Sequence, residues 1–189
     1  INFEYDSSKY ELELSINGNT IRTKLFGKYN ANNVLTAYAV GLSFGVHEKL
    51  IKEGIEGYTP KNNRSQIKLS DKGNQLILDA YNANPSSLNL AIDEFLEKEG
   101  EKTFIIGDMK ELGDVSEKEH KLIVDKLVKS GCKAFLVGPE FLKYNYSYIK
   151  VYGNVGALIR DDELKLIRNT QILIKGSRGV QLEKVEPYL

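Results

Sequence analysis

Three short polar segments carry the residue types that could do chemistry: DAYNANP (79–85), GDMKELGD (107–114) and KGSRG (175–179). Each adjoins an apolar run that is typical of a buried strand. In the last segment, Lys175 and Arg178 supply positive charge that suits a carboxylate or a phosphate. Ordinary turn chemistry would explain any one segment alone, but three polar strand ends together favour a ligand site.

The elements that must position these segments alternate between strands and helices. Asn84 and Pro85 suit the N-cap and the first position of a helix, and Ser116 with Glu119 predicts a capping box for another. This alternation indicates βαβ units and a mostly parallel sheet, whose strands end at one common edge where ligands bind. The predicted strands lie at 76–78, 102–108, 133–138 and 171–176, the predicted helices at 85–98 and 116–130, and a hairpin is predicted around DKGN (71–74).

The first third of the chain has a different pattern. Residues 2–26 alternate between polar and apolar side chains around the turn NGN, which predicts a β-hairpin. Helical spacing then predicts two helices, over residues 30–45 and about 47–56. His47 stands at the start of the second helix, where we expect it to act as a cap.

The segment GYTPKNN (57–63) is the best candidate for a linker and a hinge, because Gly, Pro and two Asn fall within seven residues. We therefore expect two domains, residues 1–60 and residues 61–189. The chain has no initiator Met and begins within strand-like sequence, INFEYDSS. From this we expect a piece of a longer protein.

Composition and charge narrow the class of protein. The 189 residues are 41% hydrophobic, and 26 basic residues balance 26 acidic ones, so no nucleic-acid surface or anionic membrane surface is indicated. No apolar run approaches the roughly 20 residues of a membrane span. A single cysteine, Cys132, excludes a disulfide within the chain and favours a reducing compartment.

Several familiar sites are absent from the sequence. Neither GxxxxGK[ST] nor GxGxxG occurs, which argues against a self-sufficient nucleotide-binding domain and against a nicotinamide oxidoreductase. No group of His, Cys, Asp and Glu has the spacing of metal ligands. We expect His120 to be solvated on a surface helix, and residues 161–163 to form a solvated turn and the start of a helix.

In this order on successive strand ends, DAYNANP, GDMKELG and KGSR resemble the C-terminal domain of the Mur ligase family, in the branch that adds D-Ala-D-Ala. NNRSQ (62–66) also fits, and FGKYNANNVLTAYAVGLSFGV (26–46) resembles the end of the family's central ATP-binding domain. The resemblance covers nearly the whole chain, and YNANP with GDM-x-ELG is specific to this branch. One departure is Tyr29, which stands where the family usually has His.

The resemblance implies an α/β fold: a Rossmann-like, mostly parallel sheet with flanking helices, preceded by a β-hairpin and helix remnant of the central ATPase domain. It implies a cytoplasmic, ADP-forming ligase of peptidoglycan precursor synthesis, which uses ATP and Mg²⁺ to join D-Ala-D-Ala to UDP-MurNAc-tripeptide. The P-loop and the Mg²⁺ ligands would lie in N-terminal and central domains outside this chain, so the chain alone is expected to be inactive. Closure of a mobile C-terminal domain would protect the activated carboxylate from water.

The resemblance also implies which residues bind ligands, although it assigns no catalytic residue and no metal ligand within the chain. For the incoming dipeptide, a carboxylate can hold the ammonium end and cations can hold the carboxylate end. The alternative is a free-standing, non-catalytic module that binds a nucleotide or another small ligand. An in-frame P-loop upstream of Ile1 would decide for the ligase, and a start codon there for the module. The implied nucleotide-binding residues are Asn30, Asn33, Arg64 and Asp79, and the implied substrate-binding residues are Asn82, Asn84, Asp108, Lys175, Ser177 and Arg178.

Overall fold

A computed structural model of the chain describes residues 3–6, 9–144 and 146–189. The chain divides into two compact units, residues 1–61 and residues 62–189. The segment GYTPKNN, which we predicted as a linker, contains the boundary between them. The strand-like stretch predicted from residue 2 onwards includes residues 2, 7 and 8, which lie outside the described residues.

An antiparallel sheet opens the first unit. Its strands, in spatial order, are β1 (Phe3–Asp6), β2 (Glu11–Ile16) and β3 (Asn19–Phe26). The predicted hairpin is confirmed, because Asn17 and Gly18 join β2 to β3 and both have a positive φ, which suits a tight turn between twisted strands. Alternate side chains of β2, those of Leu12, Leu14 and Ile16, are buried and form one face of a small core.

Two helices complete the first unit. They are α1 (Ala31–Ser43) and α2 (Glu48–Gly57). His47 caps α2 as predicted, since its Nδ1 accepts the backbone N–H of Lys49 at 3.3 Å. The two helices approach closely at Gly41, where a Cβ atom would come within 2.8 Å of the Ile51 side chain. Tyr38 and Ile51 join the core beneath the sheet residues.

A six-stranded sheet forms the second unit, with the strand order β4-β5-β9-β6-β7-β8. Its strands are β4 (Gln66–Leu69), β5 (Gln75–Asp79), β6 (Lys102–Gly107), β7 (Lys133–Val137), β8 (Ile149–Tyr152) and β9 (Gln171–Lys175). The pair β4 and β5 is the antiparallel hairpin predicted around DKGN, and every other neighbouring pair is parallel. The predicted α/β class with a mostly parallel sheet is therefore confirmed.

Helices flank this sheet. They are α3 (Pro85–Leu96), α4 (Ser116–Ser130), α5 (Val155–Ile159) and α6 (Asp162–Lys165). Asn84 and Pro85 begin α3 as predicted, since Asn84 Oδ1 accepts the N–H of Ser87 at 2.8 Å. Residues 161–163 begin α6 as expected, and α4 ends at Gly131 in the left-handed conformation.

Both faces of the parallel strands β5, β6, β7 and β9 are buried, which explains why these strands are continuous apolar runs. On one face, side chains of β5, β6, β7 and β9 form a core with α5, α6 and the C-terminal 3₁₀ segment Leu182–Tyr188. Elsewhere, α3 contacts both β9 and α4. This two-sided packing fixes the strands, and with them the positions of the segments that follow each strand.

The capping box predicted for α4 is wrong, and so is the solvated position predicted for His120. A 3₁₀ turn, Gly113–Val115, leads into α4, so the N-cap is Val115 and no side chain caps the helix. Ser116 is instead the first helical residue, with its Oγ 3.3 Å from Nδ1 of His120. The His120 ring is fully buried because it packs edge-to-face against Phe141, with 5.0 Å between the ring centres.

Candidate ligand-binding edge of the sheet

The three polar segments follow adjacent strands. Because β9 lies between β5 and β6, the segments after these strands stand side by side at the carboxyl ends of three parallel strands. In the register, Lys175 is opposite Asp79 on one side and Ile106 on the other. The prediction of one shared edge is confirmed, and we call its segments, 79–85, 107–114 and 175–179, the polar edge.

A buried ion pair lies at the centre of the polar edge. Lys175 Nζ donates to Asp79 Oδ2 at 2.5 Å and also lies 3.4 Å from the carbonyl oxygen of Asn82. The other oxygen of Asp79 accepts the backbone N–H of Ser65 at 3.1 Å. These contacts tie together the ends of β5 and β9 and the segment before β4. Removing one partner of such a buried pair is strongly destabilising, because the remaining charge has no compensation.

The second carboxylate, Asp108, is also buried, but its contacts are poorer. Its Oδ2 lies 3.4 Å from Lys110 Nζ and 3.4 Å from the N–H of Glu140. Its Oδ1 has no hydrogen-bond partner among the described residues and lies 3.8 Å from Nε2 of His120. Burial raises the pKa of the Asp108 carboxyl, while the contacts with Glu140 and Lys110 oppose that effect. The carboxylate covers Gly138, where a Cβ atom would overlap it and where φ is +136°.

His120 holds the segment that follows β6. Its Nε2 accepts the backbone N–H of Met109 at 3.0 Å, and its Nδ1 lies 2.7 Å from the carbonyl oxygen of Ser116. Because a carbonyl oxygen can only accept and a backbone N–H can only donate, the hydrogen bonds assign the neutral ring with its proton on Nδ1. His120 therefore positions this segment from the interior and does not face solvent.

Ser177 links all three segments of the polar edge. Its Oγ accepts the N–H of Lys110 at 2.9 Å and lies 3.4 Å from the carbonyl oxygen of Ala83, to which it can donate. Its own N–H donates to the carbonyl oxygen of Asp108 at 3.1 Å. A hydroxyl can donate and accept at once, so this one side chain connects the loops after β5 and β6 through the loop after β9.

Two exposed arginines meet at one aromatic ring on the polar edge. The guanidinium carbon of Arg64 lies 3.6 Å from the centre of the Tyr81 ring, and that of Arg178 lies 5.4 Å from the same centre. Neither arginine has an ion-pair partner among the described residues. A hydrogen bond and the charge of Arg64, together with the charge of Arg178, lower the pKa of the Tyr81 phenol.

Four predicted asparagines fall in two separate places. Asn82 and Asn84 lie on the polar edge and are exposed, although the Asn84 side chain is occupied as the cap of α3. Asn30 and Asn33 belong to the first unit, where Asn33 Nδ2 donates to Asn30 Oδ1 at 3.0 Å. The buried Asn30 in turn donates to the carbonyl oxygen of Phe26 at 2.8 Å.

The candidate residues of the polar edge, together with the neighbouring Arg64, thus fall into an exposed group and a buried group. The exposed candidates present side chains to solvent, and they are Arg64, Asn82, Asn84 and Arg178. The buried candidates are engaged with other protein groups, and they are Asp79, Asp108, Lys175 and Ser177. The first group can contact a ligand directly, whereas the second holds the segments in place.

The sequence did not place three residues in the site: Tyr81 and Lys110 of the polar edge, and His120, which holds one of its segments. Tyr81 and Lys110 lie inside the polar segments, but nothing in residue type or spacing tells where a loop side chain points. For His120 a signal was present, since Ser116 lies one helical turn before it and the polar segment ends just upstream. That spacing allows a ring on the inner face of the helix to reach the preceding loop.

The donor set of the polar edge suits an anion better than a divalent metal. The two aspartates at the strand ends, Asp79 and Asp108, are buried, and no group of three or more His, Cys, Asp and Glu in the described part of the chain could hold a metal ion. Guanidinium groups match the geometry of phosphate and carboxylate oxygens. Within residues 3–6, 9–144 and 146–189, no helix has the length and apolarity needed to cross a bilayer.

Comparison with known protein families shows to which family the chain belongs. The sequence model of the family described as "Mur ligase, glutamate ligase domain" matches residues 63–178, more than half of the chain and almost the whole polar edge. The chain belongs to the Mur ligase family. The resemblance predicted from DAYNANP, GDMKELG and KGSR is therefore confirmed, and the polar edge lies in the glutamate ligase domain of a Mur ligase.

Curated Mur ligases are similar over most of the chain. The UDP-N-acetylmuramoyl-tripeptide–D-alanyl-D-alanine ligase of Bacillus subtilis (strain 168) is 31% identical over 178 residues, which cover 88% of this chain and 39% of that protein. The enzyme of the same name from Treponema pallidum (strain Nichols) is 32% identical over 182 residues, which cover 91% of this chain and 39% of that protein. The chain thus spans about two fifths of the length of these relatives.

Solved Mur ligase structures have the same fold. A crystal structure of MurF from Acinetobacter baumannii aligns with a TM-score of 0.80 at 25% identity, over 97% of this chain and 43% of that one. MurF from Thermotoga maritima in complex with ADP aligns with a TM-score of 0.79 over 98% of this chain and 44% of that one. At 18% identity, the second match shows the fold alone.

Proposed function

We propose that this chain supplies the C-terminal domain of an ADP-forming amide ligase, which joins D-Ala-D-Ala to UDP-MurNAc-tripeptide in peptidoglycan precursor synthesis. One observation carries the proposal: the polar edge belongs to a Mur ligase domain whose curated relatives, 31% and 32% identical, are D-alanyl-D-alanine ligases. We assign residues 1–60 to the end of the central ATP-binding domain, as FGKYNANNVLTAYAVGLSFGV suggests, with Asn30 and Asn33 beside the nucleotide.

The exposed side chains of the polar edge and the neighbouring Arg64 would bind the substrates. Arg64 and Arg178 supply the positive charge that receives negatively charged oxygens of the nucleotide and of the dipeptide, and the Asn82 amide offers both a donor and an acceptor. The bound ATP would supply the phosphoryl group that activates the tripeptide carboxylate, which is otherwise a poor electrophile for an amine. These residues orient the ligands, and closure of the domain keeps water from the activated carboxylate.

The buried residues would act indirectly. The pair of Asp79 with Lys175, the Ser177 hydroxyl and the backbone carbonyl of Asp108, which accepts the Ser177 N–H, would hold the three segments in register, so the exposed groups meet a ligand without rearrangement. The family resemblance implied ligand contact for these four residues. We now propose that they position the ligand-binding segments.

The remaining parts of the reaction would come from outside the 189 residues. Mg²⁺ would be held there, because no group of three or more His, Cys, Asp and Glu among the described residues of this chain could hold a metal ion. The phosphate-cradling P-loop would also lie outside, since GxxxxGK[ST] does not occur in this chain. A reaction that consumes ATP would take place in the cytoplasm, where ATP is supplied.

The test compares the 189-residue chain with the same chain carrying its natural upstream sequence. With UDP-MurNAc-tripeptide, ATP and Mg²⁺ present, D-Ala-D-Ala-dependent release of ADP is expected from the longer protein and not from the chain alone. Phosphoryl transfer depends on electrostatic stabilisation by the P-loop and metal, so the isolated chain should not support it. Dipeptide-dependent ADP release by the chain alone, or none by the longer protein, would contradict the proposal.

A further inference from the structure

Tyr81 lies where two cations from distant parts of the sequence converge. Arg64 comes from the segment before β4 and Arg178 from the segment after β9, yet both guanidinium groups lie beside the same ring, 3.6 Å and 5.4 Å from its centre. Both arginines are exposed, and no carboxylate of the described residues neutralises either of them. Two like charges brought together repel each other, so another group must make this arrangement favourable.

The ring supplies part of that stabilisation. The negative face of an aromatic ring attracts a cation, and a planar guanidinium can stack on it while its N–H groups stay available at the edge. A guanidinium held in this way can still form two parallel hydrogen bonds with a phosphate or a carboxylate. The lowered pKa of the Tyr81 phenol is consistent with two cations close to the ring.

We propose that Tyr81 is a positioning residue, whose ring holds Arg64 and Arg178 so that both guanidinium groups bind one oxyanion of the ligand. The identity of that ligand rests on the proposed function, which offers a phosphate of the nucleotide or the carboxylate of the dipeptide. The family resemblance assigns the two arginines to different ligands. The geometry instead assigns them to one shared group.

Binding measurements on the 189-residue chain test this directly, with inorganic pyrophosphate and D-Ala-D-Ala as separate probes in isothermal titration calorimetry. The variants are Tyr81→Leu, Tyr81→Phe, Arg64→Ala and Arg178→Ala. Arg168→Ala is the matched control, because Arg168 is an exposed arginine just before β9, at the opposite end of that strand. Thermal unfolding followed by circular dichroism shows that each variant is folded.

One probe should bind the wild-type chain, and each single arginine variant should weaken that same probe by about tenfold. Tyr81→Leu keeps both arginines but should weaken binding by a similar factor, because the guanidinium groups lose the aromatic ring that holds them. Tyr81→Phe keeps the ring and should stay within about threefold of wild type, as should Arg168→Ala. Binding of pyrophosphate identifies a phosphate as the shared oxyanion, and binding of D-Ala-D-Ala identifies a carboxylate.

Three results would overturn the proposal. The first is wild-type affinity in the Tyr81→Leu variant, and the second is the absence of binding of either probe to the wild-type chain. The third is a split in which Arg64→Ala affects only pyrophosphate and Arg178→Ala affects only D-Ala-D-Ala. These results are independent of the ligase reaction: an intact shared site in a longer protein that releases no ADP would contradict the proposed function alone.

Discussion

Asp79 and Asp108 occupy equivalent places in the fold, yet their surroundings differ. Each is an aspartate at the carboxyl end of a buried parallel strand, and each is nearly or fully buried. Asp79 has a lysine at 2.5 Å and a backbone N–H at 3.1 Å. Asp108 has two contacts at 3.4 Å and one oxygen without a hydrogen-bond partner among the described residues.

The difference follows from the strand order. The neighbour of β5 is β9, which ends in Lys175, so the register itself places a cation opposite Asp79. On one side of β6 lies β7, which is followed by Gly138, and a glycine offers space but no charge. The end of β5 therefore forms a strong ion pair. At the end of β6, the Asp108 carboxylate is buried and its charged form is poorly compensated.

Lys175→Met should remove the ion pair with Asp79 and cause the largest loss in the free energy of unfolding. It leaves the Asp79 carboxylate buried without its cation, which we expect to lower the free energy of unfolding by about 3–5 kcal/mol, measured by urea denaturation of the chain. Lys133→Met is the matched control, because its pair with Glu163 is about one-third exposed and should change stability by less than about 1 kcal/mol. Equal losses in the two variants would show that the buried Asp79 pair contributes no more stability than the exposed pair.

Gly138→Ala should disturb the packing of the Asp108 carboxylate over residue 138. The new Cβ atom would overlap the Asp108 carboxylate at a positive φ, so we expect a loss of about 3 kcal/mol in the free energy of unfolding. Gly131→Ala also has a positive φ but no atom within 4 Å of the new Cβ, and should lose only about 1 kcal/mol. A second substitution, Asp108→Ala, should recover part of the Gly138→Ala loss, and the contact explanation fails if it recovers none.

Asp108→Asn should change the free energy of unfolding least, and it should raise it where the other two substitutions lower it. The folded-state pKa of Asp108 is raised, so its protonated form contributes stability below the unfolded-state pKa, and that contribution is lost as pH rises through the folded-state pKa. Asparagine stays neutral, so the variant should be more stable than wild type at neutral pH, by less than about 1 kcal/mol. The advantage should shrink as pH falls through the folded-state pKa, and an advantage that grows on acidification would rule this out.

The sequence predicted the elements well, because their signals are local. The apolar run at 76–78, the cap at Asn84 and the turn NGN each depend on a few neighbouring residues. The polar edge was predictable too, since all parallel strands of a sheet end on the same side. The insertion of β9 between β5 and β6 was not predictable, because it depends on pairing between residues almost a hundred positions apart.

The same limit explains why the sequence does not indicate which site residues are buried. Whether Lys175 reaches solvent or Asp79 is decided by the register, and no residue near Lys175 in the sequence carries that information. The convergence of Arg64 and Arg178 on Tyr81 is likewise a property of the assembled edge. Residue type alone indicated cations near a loop, but not that they share one ring.

The exposed cations Arg64 and Arg178 are proposed to bind the substrates of a D-alanyl-D-alanine ligase. The most direct test is steady-state kinetics of the longer protein, with Arg178→Ala compared with Arg168→Ala. We predict that Arg178→Ala lowers kcat/KM for the substrate that carries the bound oxyanion, D-Ala-D-Ala or ATP, by about 30-fold or more, which corresponds to ~2 kcal/mol, while Arg168→Ala retains the wild-type value. An unchanged kcat/KM for both D-Ala-D-Ala and ATP in the Arg178→Ala enzyme would contradict a role of Arg178 in substrate binding.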